Sequence, residues 1–170
     1  MTARLLEKDM VIVFDTNVWV DYFTNRYGTA RQVGDILRAA AEAGAAIVST
    51  VGSAKDVYYL VKRYLKCNRS VEQTMSTAHA QREVAWACVR EMRRLSVVVD
   101  YGVADVIEAE YAKRLHDDFE DDLILAAARH AKADILVTND AELRAHAPLP
   151  AFGVAELAGK LARQGSVTDD

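Results

Sequence analysis

The chain has 170 residues, 51% hydrophobic and 27% charged, with only 2 prolines and 8 glycines. That length suits one domain burying on the order of 70% of its unfolded surface, and the balance excludes disordered, collagenous and low-complexity classes. A formal net charge of -4 excludes a generally basic surface that binds nucleic acid by charge alone, although cations bound in an acidic cleft would invert the charge there.

The two cysteines, Cys67 and Cys88, form no CxxC pair and have no histidine at zinc-ligand spacing. They read as buried small hydrophobes in a reducing compartment. Residues 1–10, MTARLLEKDM, lack a signal-peptide core, and no run approaches the roughly 18 apolar residues of a membrane span. The expectation is a cytoplasmic protein with no membrane contact.

In chain order, MVIVF (10–14) is the first of four short apolar runs that read as strands buried on both faces. It ends at Asp15, after which the apolar pattern resumes in TNVWVDYF. A helix is expected at 29–43, then a second strand, AAIVS (45–49). Next, Val57, Leu60, Val61, Tyr64 and Leu65 make SAKDVYYLVKRYLK an amphipathic helix. A further helix is expected at 70–94, opened by Ser70 with Gln73 three residues on as a capping box. Its apolar positions Val71, Met75, Ala78, Ala85, Val89 and Met92 form a packing seam with Arg82 in its gap.

LSVVV (95–99) is the third strand and ADILVT (133–138) the fourth, with helices expected at 103–115, 118–131 and 154–163. Strands alternating with helices imply an α/β fold with a central, mainly parallel sheet of four to five strands flanked by helices, whose C-terminal strand ends share one edge. The chain reads as a single domain, with a helical hairpin at about 54–94. Ligands of open parallel sheets bind beyond the strand C-termini.

Acids stand at those ends: Asp15 after the first strand, Asp56 in the first turn of the helix after the second, DDFEDD at 117–122, and Asp140 after the fourth. Any one could be a helix cap worth about 0.3–1 kcal/mol. Convergence argues otherwise, because two carboxylates about 4 Å apart repel by about 4 kcal/mol at an effective dielectric near 20. Within 117–122, Asp121 leads into Ile124 and Ala128 on the side expected to be buried, and Asp118 shares its face. Asp121 is therefore the first choice and Asp118 the second, with Asp117, Glu120 and Asp122 expected to be solvated or one step removed from the site. Carboxylates without His or Cys suit a hard cation, Mg²⁺ or Mn²⁺, and one or two such ions would support in-line phosphodiester hydrolysis.

The blocks FDTNVWVDYF, VSTVGSAKDVYYLVKR, DDFEDDLILAAA and ILVTNDAEL, in that order, resemble the signature blocks of a PIN-domain nuclease, with the nearest similarity to VapC-like toxins. The resemblance spans residues 11 to about 157. It implies a PIN-like fold and a Mg²⁺- or Mn²⁺-dependent ribonuclease whose acidic quartet falls on Asp15, Asp56, Asp121 and Asp140. Asp118 matches a further acid of DFED-type members. The family's second acid is commonly Glu; here it is Asp56, one methylene shorter, with Lys55 beside it. Thr16, Asn17, Thr138 and Asn139 fall where the family places residues that hydrogen-bond the carboxylates or the scissile phosphate. The resemblance further implies a homodimer and a small antitoxin whose C-terminal segment covers the acidic cleft. The seam at 71–92 and the stripe at 57–65 are candidate surfaces for either partner, against plain core packing.

RNA needs further counter-charge, and Lys62, Arg63, Lys66 and Arg69, with Arg90, Arg93 and Arg94, are candidate phosphate contacts. The four histidines show no spacing with a mechanism. Among rivals, a HAD-type phosphatase needs a second aspartate two residues after the first, where this chain has Asn17. A receiver domain needs adjacent acids after the first strand. A housekeeping PIN-type RNA-processing nuclease and a non-catalytic PIN-like binding module remain alternatives to the toxin.

Overall fold

The computed structural model describes residues 5–68, 77–114 and 117–165. One five-stranded parallel sheet runs in the order β3-β2-β1-β4-β5, with β1 at Val11–Phe14, β2 at Ala46–Thr50, β3 at Val97–Val99, β4 at Ile135–Val137 and β5 at Ala151–Phe152. The helices are α1 Thr16–Thr24, α2 Ala30–Ala43, α3 Val51–Cys67, α4 Ala78–Leu95, α5 Val103–Ala112, α6 Phe119–His130, α7 Ala141–His146 and α8 Val154–Gly165. A single 3-10 turn, Arg26–Gly28, joins α1 to α2.

Alternation along β1 creates two cores. Ile12 and Phe14 face a cluster with Trp19, Ile36, Val57, Met92 and Leu157, while Val13 faces Val48, Leu136, Ile124, Ala128 and Leu143. Helices α1 to α4 and α8 therefore cover one face and α6 and α7 the other. The deeper core is aromatic: Phe14 and Trp19 are fully buried with ring centroids 5.3 Å apart, and burying each such side chain contributes about 1.5–3 kcal/mol.

Sitting centrally, β1 pairs Val13 with Val48 of β2 on one side and with Leu136 of β4 on the other. The chain winds outward to β2 and β3, then returns past β1 to β4 and β5. The reversal falls between β1 and β4, and such a switch point opens a crevice at the strand C-termini. Asp15 and the segment Thr138–Asp140 stand there.

Several expectations are corrected. Leu60 lies in the α3 stripe but is 39% exposed, and Cys67 is exposed rather than buried. The seam of α4 is Ala85, Cys88 and Met92, packed against α3, while Ala78 is exposed. Thr77, whose hydroxyl accepts from the Ala80 amide at 3.1 Å, caps α4. The expected capping box of Ser70 and Gln73, with Val71 and Met75, lies outside the described residues. Among the described residues, no helix is long and apolar enough to cross a membrane.

Candidate active site

Asp15 follows β1 directly and takes the N-cap position of α1 in an extended conformation, yet its side chain does not cap the helix. Its Oδ2 accepts from the Thr138 hydroxyl at 2.6 Å and from the Asn17 amide nitrogen, which also donates to Thr138 Oγ1 at 3.0 Å. Residues after β1 and β4 thus hold one carboxylate across the switch point. Asp15 is only 4% exposed. Burial pushes its carboxyl up from 3.8 to about 6; the Thr138 hydroxyl opposes this, and the charge of Glu120 adds to it.

The open side of Asp15 is a cleft of about 560 Å³ whose lining includes Asp118, Glu120, Asp121 and Asp140. Two of these acids are also caps. Asp118 Oδ1 accepts from the Glu120 and Asp121 amides at 3.0 and 3.3 Å, and Asp140 Oδ1 from those of Glu142 and Leu143 at 2.7 and 3.0 Å. Capping and cleft lining coexist because each cap uses one oxygen. Glu120 is raised by burial first, then by the charges of Asp56 and Asp118, with Lys55 opposing.

A chain of polar contacts backs the cleft. The Asn139 amide donates to Asn17 Oδ1 at 3.1 Å, and its side-chain nitrogen donates to Asp21 Oδ2 at 2.9 Å. Asn139 Oδ1 accepts from the Val154 amide at 3.2 Å, tying α8 to the same loop. Asp21, buried inside α1, takes Arg26 Nε at 2.8 Å on its other oxygen. Thr16 lines the cleft as well, and its hydroxyl donates to Ser53 Oγ at 2.9 Å.

A PIN domain family model matches residues 11–142. The chain belongs to the PIN-domain family. Its fold is similar to the structure of VapBC2 from Rickettsia felis bound to a DNA fragment from their promoter, with a TM-score of 0.61 at 15% identity, covering 85% of this chain and 98% of that one. It is also similar to VapBC-1 from nontypeable Haemophilus influenzae, with a TM-score of 0.55 at 14% identity, covering 86% of this chain and 100% of that one. No curated protein sequence matches it.

In this PIN domain, Asp15, Asp118, Asp121 and Asp140 line the same cleft. Asp56 is not among its lining residues. Helix α3 begins at Val51, capped by Thr50 through the Ser53 amide, so Asp56 falls in the second turn rather than the first and pairs with Lys55 at 3.1 Å. Glu120, expected to be solvated or one step removed, is in the lining. Asp122 is buried at 3% exposure, away from that cleft, in a second pocket between α5 and α6. Asp117 is solvated as expected. Of the basic candidates, Arg63 lines the cleft, Lys66 is exposed, and Lys62 lies over the Tyr58 and Tyr59 rings at 5.7 and 5.8 Å. Arg69 lies outside the described residues. Sequence reasoning missed Asp21 and Arg26 altogether.

The acids of the cleft offer oxygen donors, and burial together with neighbouring acid charge raises Asp15 and Glu120, which is the electrostatic condition that a hard cation relieves. Among the described residues, no three or more His, Cys, Asp or Glu side chains stand together as a group that could hold a metal ion. An open arrangement of this kind fits Mg²⁺ or Mn²⁺, which keeps several waters and needs only one or two carboxylates.

Proposed function

We propose that the chain is a divalent-metal-dependent endoribonuclease that hydrolyses RNA phosphodiester bonds, acting in the cytoplasm as the toxin of a toxin–antitoxin pair. The observation that carries this reading is Asp15: a carboxylate buried at the switch point, gripped by Asn17 and Thr138, and opening on four further acids. A buried acid with neutral donors and a raised pKa destabilises the metal-free fold when ionised, a cost that a ligand of opposite charge would relieve. The likeness of fold to VapBC2 and VapBC-1 supports the toxin assignment and an antitoxin as partner; a homodimer belongs to the same proposal. We read residues 1–170 as one PIN unit in which α3 and α4 form a hairpin.

Asp15, Asp118, Asp121 and Asp140 would hold the ion, with Glu120 beside them. When bound, Mg²⁺ or Mn²⁺ lowers the pKa of an attacking water and neutralises charge on the phosphate and the leaving oxygen. The chain's own contribution is placement. Asn17 and Thr138 fix the rotamer of Asp15, and the amides at the starts of α6 and α7 fix Asp118 and Asp140. Asp56, through its charge on Glu120, tunes the cleft from outside it. Arg63, Lys66 and Arg69 are candidate contacts to flanking phosphates.

Purified protein with Mg²⁺ or Mn²⁺ is expected to cleave RNA, EDTA to stop it, and Asp15→Asn to lower the rate by more than roughly 100-fold, beyond the loss usual for outer residues of a metal site. Cleavage that survives unchanged in Asp15→Asn sinks the nuclease reading. The toxin role has its own test: induced expression arrests growth and a short neighbouring open reading frame relieves it. Ribonuclease activity without either effect favours an RNA-processing nuclease.

A further inference from the structure

A cleft lined by five acids repels a polyanion, and a cation bound at the reacting phosphate leaves the flanking phosphates facing negative charge. The lining residues that carry fixed positive charge are Arg26 and Arg63. Arg63 is an exposed residue of α3. Arg26 is anchored: its Nε donates to Asp21 Oδ1 at 2.8 Å, and the two side chains are 42% and 2% exposed. Asp21 is in turn held by Asn139, whose backbone amide donates to Asn17, a ligand of Asp15. Arg26 and Asp15 are therefore built on one hydrogen-bonded frame.

The bland alternative is that Arg26 only neutralises a buried aspartate. Two observations weigh against it. A pair made for neutralisation is commonly bidentate, whereas this one uses a single Nε bond, and the half-exposed Arg26 side chain, its guanidinium 5.1 Å from the centre of the Tyr27 ring, lines the cleft. The turn that delivers Arg26 is also strained: Asn25 and Tyr27 on either side adopt left-handed φ of 47° and 64°. Tyr27, as a bulky non-glycine residue, costs roughly 1–2 kcal/mol there. Strain of this kind persists where a side chain has to be aimed.

We infer that Arg26, positioned by the buried Asp21, is a phosphate-binding subsite of the cleft that takes a backbone phosphate of single-stranded RNA next to the one cleaved. The guanidinium fork suits a phosphodiester's two free oxygens. Asp21 is a positioning residue, since its contact with substrate runs through Arg26. This inference rests on the nuclease reading and fails with it.

The test is steady-state cleavage of a short labelled single-stranded RNA by the full chain with Mn²⁺, across a salt series, alongside melting temperature. Arg26→Gln is expected to raise KM about 10-fold or more, as loss of a charge-assisted contact does, with a smaller change in kcat. It should also reduce the salt slope of log KM by about 0.7, the share of one phosphate contact on a single strand. Arg26→Lys, which keeps the charge and loses the fork, should fall between wild type and Arg26→Gln without a drop in melting temperature. Asp21→Asn should raise KM while keeping the wild-type salt slope. Unchanged KM and slope in Arg26→Gln, in a protein whose cleavage still depends on Asp15, overturn this inference alone. So does a loss in Arg26→Gln fully explained by a lower melting temperature while Arg26→Lys behaves as wild type. Cleavage independent of Asp15 overturns both readings.

Discussion

Two acid-rich regions meet at the start of α6, and Asp118 borders both. In the cleft beyond β1 and β4, the hydrogen-bond partners of Asp15 are neutral, and the charges around Asp15 and Glu120 are mainly those of other acids, so both carboxyls are raised. Between α5 and α6, where a pocket of about 300 Å³ opens, several acids find basic side chains of the chain beside them. Lys113 stands 3.8 Å from Asp117, Arg129 pairs with Glu108, and His130 Nδ1 lies 3.4 Å from Asp105. Similar acid density therefore has opposite consequences. Acids paired within the chain belong to the fold, whereas Asp15 and Glu120, raised by burial and by neighbouring acid charge, are where the proposed cation would act.

The sharpest way to break this comparison is to remove one charge from each region and measure stability without metal. Asp15 sits at about 6 against an ordinary 3.8, a gap that corresponds to roughly 3 kcal/mol. For a raised acid, the fold holds the proton more tightly than the unfolded chain does. Its stabilising contribution is fully present below about pH 4 and is lost as pH rises through about 6. Asp15→Asn never ionises and keeps that contribution at neutral pH. The metal-free variant is expected to melt up to roughly 10 °C above wild type at pH 7.5, with a flatter stability profile between pH 4 and 6, while cleavage is lost. A lower melting temperature for Asp15→Asn would show that the carboxylate is structural. Calorimetry of the two proteins across pH decides it.

In the paired region the expected sign reverses. Asp105 Oδ2 accepts from the Gly102 amide at 2.7 Å at the start of α5, and its other oxygen faces His130. Asp105→Ala removes both contacts and should cost about 1 kcal/mol, as loss of a helix-terminal acceptor does, seen as a lower denaturation midpoint at constant m-value. RNA cleavage by the folded protein should be unchanged. A fall in kcat at full stability would connect the two regions through Asp118 and erase the distinction drawn between them.

The sequence disclosed the sheet more readily than the first helix, for a physical reason. Strands β1, β2 and β4 are buried on both faces, so each appears as an unbroken apolar run. Helix α1 buries Val18, Trp19, Val20 and Asp21 in succession, which removes the 3.6-residue period that would mark it. Helix α7 has 6 residues and β5 has 2, too few to show any period. Asp15 and Asp140 were legible as acids that follow strand ends, and Asp121, which stands in the first turn of α6 and follows no strand, through its helical spacing to Ile124. Glu120 was not: face-matching against Ile124 selected Asp121, but side chains in a first helical turn lean toward the N-terminus, so neighbours on different faces reach the same strand edge. Asp56 was misplaced by a helix start read too late, since Thr50 as cap precedes the amphipathic stripe. Asp21 and Arg26 carry no motif, because their relation is made by a turn with left-handed Asn25 and Tyr27.

The smallest expected effect tests what pairing means at the surface. Lys113 and Asp117 face each other at 3.8 Å with side chains 70% and 82% exposed, and exposed pairs of this kind contribute little because water and salt screen them. Lys113→Ala is expected to leave melting temperature and cleavage unchanged within error. If it instead weakened cleavage while the protein stayed fully folded, the lysine would be countering the acids of the cleft across the shared Asp118. Measuring cleavage at low and high salt separates these cases, since a long-range charge effect fades as screening rises, whereas a loss of local structure persists.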